Sequence, residues 1–193
     1  MARAALTDDQ IHQFRARAVE VATELFAERG YDAVTMRGLA TALGCSPMTP
    51  YRYFENRDEL YAMVRAEAFR RFADRQQAAF EEPGTSTERL LRLKRAYVEF
   101  ALDEPNAYRI MFQLSQAPAG TYPELAAQGA RGFEYLHRAV AQAIEDGVVG
   151  GDPLSVAHLL WANTHGLVSL HLAGKLAMGR SLDELAAITL ELR

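Results

Sequence analysis

The sequence predicts an all-α fold, and three observations carry that prediction. Apolar residues recur at three- and four-residue spacing through most of the 193 residues. No stretch alternates convincingly with period two, the mark of a strand. Nearly every helical run opens on a residue suited to capping and closes on glycine or proline. No internal repeat with a period of roughly 20–50 residues is present, so a solenoid is excluded.

Each element can be justified in order. Thr7-Asp8-Asp9-Gln10 has the spacing of a capping box, in which a hydroxyl and a carboxamide three residues on satisfy each other's backbone N–H. Ile11, Phe14, Ala18, Val21, Ala22, Leu25 and Phe26 then share one helical face, and Gly30 supplies a left-handed stop. Thr35 is placed to cap the next helix, with Leu39, Ala40 and Leu43 inward and Gly44 at its end. Ser46-Pro47 offers a cap and a first-position proline for a short helix from Pro47 to Phe54. Two short helices around Gly44-Cys45-Ser46 make a helix-turn-helix layout.

Asn56 and Glu59 cap a long helix from Arg57 to about Phe80, and Glu81-Glu82-Pro83-Gly84-Thr85-Ser86 reads as a linker or loop. Periodicity resumes from Glu88 to Asp103 and is interrupted by Pro105-Asn106. A short helix carries Tyr108, Ile110, Met111, Phe112 and Leu114 before Ala-Pro-Ala-Gly at 117–120 stops it. A longer helix runs from about Pro123 to Asp146, closed by Gly147. Asp152-Pro153 opens another, to Ala173, and Ser181 with Glu184 caps a final one.

Pro50 departs from this regularity. If Ser46 is the cap, Pro50 stands at the fourth helical position and deletes the first i→i−4 bond, to the Ser46 carbonyl. Its ring crowds that carbonyl and discourages α geometry at Thr49. A distorted or tightened opening turn is the expectation.

Composition bounds the function. With 49% hydrophobic and 24% charged residues, the chain has a globular balance able to bury a core. It contains no apolar run of about 18 residues, and its first residues lack a signal peptide's apolar region, so a soluble cytosolic protein is expected. One cysteine, Cys45, excludes an internal disulfide and a multi-thiolate metal site. His158, His165 and His171 have no accompanying carboxylate or thiolate cluster, and their spacings do not stack all three on one helix face, so no metal or cofactor is expected. No P-loop, nucleophile elbow, dinucleotide fingerprint or metal-hydrolase motif occurs, and Ser169 with His165 lacks an orienting acid, which argues against an enzyme. The net charge is −4, and residues 1–60 hold seven arginines and no lysine against nine carboxylates. Any DNA contact must come from local placement, since bulk charge does not favour it.

Residues 18–64, AVEVATELFAERGYDAVTMRGLATALGCSPMTPYRYFENRDELYAMV, resemble the DNA-binding domain of the tetracycline-repressor (TetR) family. The likeness lies in four elements in order: LFAERGYDAVT, RGLATALG, S-P-x-T-x-Y-x-Y-F and an N-R-D-E-L helix start. It implies a three-helix DNA-binding domain over residues 1–60, a ligand-binding and dimerisation domain over 61–193, a linking helix of about 57–80, and a homodimer. By position it implies DNA contacts from Thr35 and Arg37 and, in the second short helix, from Pro47, Met48, Thr49, Tyr51, Arg52 and Tyr53. Arg57 matches a family position usually held by a phosphate-contacting lysine, whereas Pro50 stands where the family has an ordinary apolar residue. Arg52, the basic residue within that short helix, is the candidate for reading a base, by bidentate bonds to guanine.

Further on, LLWANTHGLVSLHLAG (159–174) resembles the family's Trp-His-Gly subgroup, and YRIMFQLS (108–115) fits it too. Tyr108, Met111, Phe112, Phe133, Trp161 and His165 are therefore candidate walls of a cavity for a largely apolar small molecule, since such pockets are mostly apolar with a few placed polar groups. Leu167, Leu170, Leu185 and Ile188 are candidate dimer contacts. The expected function is that of a ligand-responsive transcriptional regulator: a repressor that binds a near-palindromic operator as a dimer and is released by its effector. A helical adaptor that has lost DNA binding, or a thiol sensor working through Cys45, are the alternatives.

Overall fold

The computed structural model describes residues 7–112, 121–176, 179–182 and 184–185. Among these it contains seven α-helices and a 3₁₀ turn, and no strand. The helices are α1 (Asp8–Arg29), α2 (Met36–Ala42), α3 (Arg57–Glu81), α4 (Ser86–Asp103), α5 (Pro105–Phe112), α6 (Pro123–Glu145) and α7 (Pro153–Leu172); the 3₁₀ turn is Pro50–Arg52. No described helix is long and apolar enough to cross a membrane.

The helix ends follow the side chains that satisfy them. Thr7 and Gln10 form both bonds of the capping box at α1, and Thr85 with Glu88 repeats it at α4. That second box starts α4 at Ser86, two residues before the periodicity resumes. The Asn56 side chain accepts from the Glu59 N–H at 2.9 Å and opens α3, and Asp152 accepts from the Ser155 N–H to open α7. The interruption falls where expected, α4 ending at Asp103 with Glu104 non-helical, and Pro105 begins α5, because a first-position proline lacks only an N–H that would have no intrahelical partner. Gly30 does close α1, but with φ 75° and ψ 167° it is extended with positive φ and not left-handed helical. On α1 the apolar face is turned slightly from expectation: Val19 is buried, while Ile11, Phe14 and Val21 are half-buried. Ser181 and Glu184 exchange the two bonds of a capping box, and Ile188 lies outside the described residues.

The chain divides into two compact units. The first comprises Met1–Phe69 with Asn106–Gln128, and the second Arg70–Pro105 with Gly129–Arg193. A single division near residue 60 does not describe this interleaving, because α5 and the start of α6 group with the N-terminal helices. The first core gathers Ala22, Phe26, Leu39, Phe54, Leu60 and Val64, with Ile110 of α5 closing it. Tyr61 packs edge-on against Phe26 and Tyr31 at 4.7 and 4.9 Å between ring centroids. Arg65, 5% exposed, donates to the Met111 carbonyl at 3.0 Å, and its burial lowers its pKa.

In the second unit, Phe80, Leu90 and Leu93 meet Ala139, Val140, Ala143 and Ala157. Phe72 makes edge contacts with Tyr97 and Phe100 at 5.2 and 5.4 Å. Arg75 reaches Asp103 at 2.8 Å and Glu104 at 3.1 Å, and Arg131 reaches Asp74 at 2.6 Å.

α6 approaches α3 here across Gly132, where a Cβ would lie 2.9 Å from the Phe72 ring. A side chain at 132 forces that ring off its present packing. Gly132→Val is therefore expected to destabilise the second unit by about 1–3 kcal/mol, as overpacking does, measured as a lowered urea midpoint for Trp161 fluorescence.

Candidate nucleic-acid interface and ligand cavity

The first candidate site begins where α2 ends. The Cys45 N–H donates to the Ala40 carbonyl at 3.0 Å and the Gly44 N–H to Thr41 at 3.1 Å, a Schellman stop that needs positive φ at Gly44 (66°). The next segment is not the α-helix expected over Pro47–Phe54. The Ser46 carbonyl accepts from the Thr49 N–H at 2.8 Å, a three-residue reach, and the backbone then tightens into the 3₁₀ turn Pro50–Arg52. The cause is Pro50, which has no N–H to offer Ser46; the expected exclusion of α geometry at Thr49 does not occur, since Thr49 has φ −63° and ψ −47°. Pro47 accordingly lies in a turn, not at a first helical position, and Ser46 takes part through its carbonyl.

This turn is held from beneath. Pro50 and Phe54 are fully buried, and the Tyr53 ring stacks on Phe14 with centroids 4.0 Å apart. Arg15 of α1 donates to the Tyr53 carbonyl through Nε at 3.0 Å and Nη2 at 2.7 Å, and pairs with Glu59 of α3 at 3.1 Å. With those positions anchored, Met48, Tyr51 and Arg52 stand exposed, Met48 at 67% and Tyr51 at 47%. Thr49 is half-buried.

The other predicted contacts have defined settings. Thr35 is exposed and caps α2, its hydroxyl accepting from the Gly38 N–H at 3.0 Å; Arg37 is exposed one residue inside that helix. Arg57 faces inward in part. Its Nη1 spans the carbonyls of Tyr31 and Asp32 at 3.3 Å and Val34 at 3.4 Å, and its guanidinium lies 4.2 Å from the Tyr31 ring centroid. The Tyr31 hydroxyl donates to Asp58. Cys45 is half-buried against the first core.

The second candidate site is a small, open-mouthed cavity within the second unit, with about 40 Å³ of water-accessible space. Gln76 of α3, Leu90, Leu93, Lys94 and Tyr97 of α4, Leu136 of α6, and Leu160, Trp161 and Thr164 of α7 line it. On α4 those positions run i, i+3, i+4, i+7, so one helix face supplies a whole wall. Several polar groups of the walls bond within the protein: Gln76 donates to the Leu93 carbonyl at 3.3 Å, and Thr164 to the Leu160 carbonyl at 2.9 Å. The Tyr97 hydroxyl meets His165 Nδ1 at 3.1 Å, and His165 Nε2 meets the Ser169 hydroxyl at 3.3 Å. Burial lowers the pKa of His165 and brings that of Lys94 down to about 8.

Of the six residues predicted to share a cavity, only Trp161 is on these walls. His165 stands behind Tyr97, and Phe133 packs against Trp161 at 5.8 Å between centroids. Tyr108, Met111 and Phe112 belong to the first unit, where Tyr108 and Met111 are buried and Phe112 contacts Phe69 and Tyr108. The apolar face of α5 is thus occupied in the first unit. Sequence reasoning missed Gln76, Lys94 and Tyr97. The available signal was a lysine within the inward stripe Leu90, Leu93, Tyr97, where an ordinary amphipathic helix has an apolar residue.

An all-helical chain whose first unit presents a short anchored turn after a Schellman stop defines a protein of the helix-turn-helix class. Residues 18–64 match the family described as bacterial regulatory proteins, tetR family, and residues 90–192 match the tetracyclin repressor-like C-terminal domain. The chain belongs to the TetR family of DNA-binding transcriptional regulators. It is similar, at 27% identity over 114 residues, to the HTH-type transcriptional activator FasR of Mycolicibacterium smegmatis; the match covers 59% of the chain and 51% of FasR, so the chain spans about half the length of that relative. A protein of unknown function from Rhodococcus sp. RHA1 has a similar structure, with a TM-score of 0.80 and 27% identity over 92% of this chain and 91% of that one. The regulator FadR from Bacillus subtilis, solved with stearoyl-CoA, shares the fold with a TM-score of 0.75 at 18% identity, over 92% and 96% of the two chains.

Lys94 yields a signed pH prediction. Its pKa is about 8 in the folded chain against 10.5 for an ordinary lysine, so the unfolded state binds the proton more tightly. The resulting cost to folding is complete below about pH 8 and fades to nothing as pH rises to 10.5. Lys94→Met should therefore raise the melting temperature at pH 7, and the gain should shrink steadily above pH 8, followed by calorimetry.

Proposed function

We propose that this regulator binds a near-palindromic operator as a homodimer and represses transcription until a largely apolar small molecule releases it. The observation that carries the DNA reading is the anchored turn, whose buried Pro50 and Phe54 leave Met48, Tyr51 and Arg52 facing outward. In this reading Arg52 reaches a base edge in the major groove, as recognition elements of this class do. Thr35, Arg37, Pro47, Met48, Thr49, Tyr51 and Tyr53 lie along the sugar-phosphate backbone and fix register. Arg57 contributes indirectly, by holding the loop between α1 and α2, and directly only through guanidinium N–H groups not given to those carbonyls.

The dimer reading is supported by α7. Leu159 is 70% exposed and Leu170, eleven residues on and so on the same helix face, is also exposed, a pair of large apolar side chains that favours a partner surface. Leu167 and Leu185 are half-buried and extend that candidate interface. A two-fold dimer presents two turns to two half-sites, hence the palindrome. Release follows if the effector binds better to a dimer geometry whose turns no longer match successive grooves. α3, continuous through both units, is the natural lever. The stearoyl-CoA bound to the FadR relative, an acyl chain on a charged head, is consistent with an effector that has a large apolar part.

A mobility-shift assay with the DNA flanking the gene tests the reading. Binding should weaken steeply with salt, and effector should abolish it. Binding that requires effector would make the protein an activator, as FasR is named; no salt-sensitive binding at all would leave a helical adaptor. Arg52→Ala is expected to cost about 1–3 kcal/mol of operator affinity and relax preference at one base pair per half-site.

Pro50→Leu restores an N–H that can reach the Ser46 carbonyl at the entry of the turn. It is expected to weaken operator binding about tenfold, near 1.4 kcal/mol, with helical content unchanged by circular dichroism. Unaltered affinity and sequence preference would reduce Pro50 to a packing residue.

A further inference from the structure

Among the described residues of the first unit, the large apolar side chains left exposed are Met48, at 67%, and Tyr51, at 47%. Both stand on the anchored turn, three residues apart, with exposed Arg52 beside them. The backbone that carries Met48 is fixed on both sides. The Ser46 carbonyl accepts from the Thr49 N–H at 2.8 Å, the Thr49 carbonyl from the Arg52 N–H at 3.1 Å, and Arg15 holds the Tyr53 carbonyl at 2.7 Å. Tyr51 has a hydroxyl to offer a phosphate. The Met48 thioether donates no hydrogen bond and is at most a weak acceptor, so what it brings to a duplex is its hydrocarbon.

Two such side chains on one anchored segment, in a unit that buries its other large apolar groups, mark a contact surface and not a scattered exposure. In the major groove, where recognition elements of this class lie, base pairs present hydrogen-bonding edges and one apolar group, the C5-methyl of thymine. We propose that Met48 reads a thymine methyl and so makes each half-site sensitive to a single carbon. This rests on the reading of the turn as the DNA-facing element, and adds a letter that hydrogen bonding does not supply. The unbranched, polarizable side chain of methionine suits the task, because it can seat on a methyl group without a rigid fit. Residues three and four apart on a tight turn share a face, so Met48 and Arg52 address nearby base pairs. At the 3₁₀ rise the chain from Met48 to Arg52 advances about 8 Å. The thymine therefore falls within about three base-pair steps, roughly 3.4 Å each, of the pair that Arg52 reads.

The half-sites bound on the DNA flanking the gene are located by footprinting, and each thymine in them is replaced in turn by deoxyuridine. That change removes the methyl group and leaves base pairing intact. Affinities of the full chain for these duplexes are followed by fluorescence anisotropy. One thymine per half-site should respond, its replacement weakening wild-type binding about fourfold, as burial of one methyl contributes, and roughly fifteenfold when both half-sites are changed. Met48→Ala should bind the thymine and deoxyuridine duplexes equally, with the salt dependence of affinity unchanged, since no phosphate contact is lost. Met48→Leu, apolar but without sulfur, should restore the distinction, which also shows that truncation and not misfolding abolished it. The proposal is overturned if no thymine responds, if the response survives Met48→Ala, or if Met48→Leu fails to restore it. A shallower salt dependence in Met48→Ala also overturns it, because Met48 would then support a phosphate contact. Salt-sensitive binding without a Met48-dependent thymine response leaves the regulator standing and removes this inference. A chain that shows no salt-sensitive binding fails as a regulator, and the inference falls with it.

Discussion

The unbroken hydrogen-bond ladder of α3 is the constraint on which both units depend. Its 25 residues rise about 37 Å at 1.5 Å each. The first part places Leu60, Tyr61 and Val64 in one core, and the later part contributes Phe72, Ala73 and Phe80 to the buried interior of the other unit. Gln76 of the same helix is a wall of the cavity, while Glu59 in its first turn receives Arg15 beside the exposed turn. A regular helix cannot rotate one of these residues without carrying its near neighbours, so within each unit α3 holds its core residues in one register. Gly132, which lets the Phe72 ring lie close beneath α6, is part of the same constraint.

The acidic balance of the first sixty residues is less of an obstacle to DNA binding once the arginines are placed individually. Arg15 and Arg57 are engaged by backbone carbonyls and act as internal fasteners, one on Tyr53 and one on the loop after α1. Arg37 and Arg52 stand exposed on α2 and the following turn. What counts for a polyanion is the field at that surface, and a segment's summed charge averages it with carboxylates elsewhere.

Much of this fold is legible in the sequence because helix ends are written locally. Thr7 with Gln10, Asn56, Asp152, and Gly44, Gly147 and Gly174 announce boundaries by chemistry that needs only neighbouring residues. Pro50 was legible for the same reason, since a missing N–H acts within one turn. What periodicity withholds is which face meets which. Leu90 and Leu93 read as ordinary core, and they do pack in the second core while also walling the cavity. Tyr108, Met111 and Phe112 look equally suited to a pocket, yet α5 groups with the N-terminal helices, a pairing between segments more than forty residues apart that no local pattern encodes.

The tightness of the Pro50–Arg52 turn has a consequence for how much a single copy of this chain can distinguish. Three residues of 3₁₀ geometry advance about 6 Å, less than two base-pair steps at roughly 3.4 Å each. An element of that length inspects few letters, whatever its side chains. On the proposed dimer reading, discrimination among the many sites of a chromosome would be drawn from the pairing of half-sites, their spacing, and the stiffness of the intervening duplex. Operators for such a reader would tolerate drift at most positions and be intolerant of insertion or deletion between the halves. They would be recognisable as a distance more than as a word.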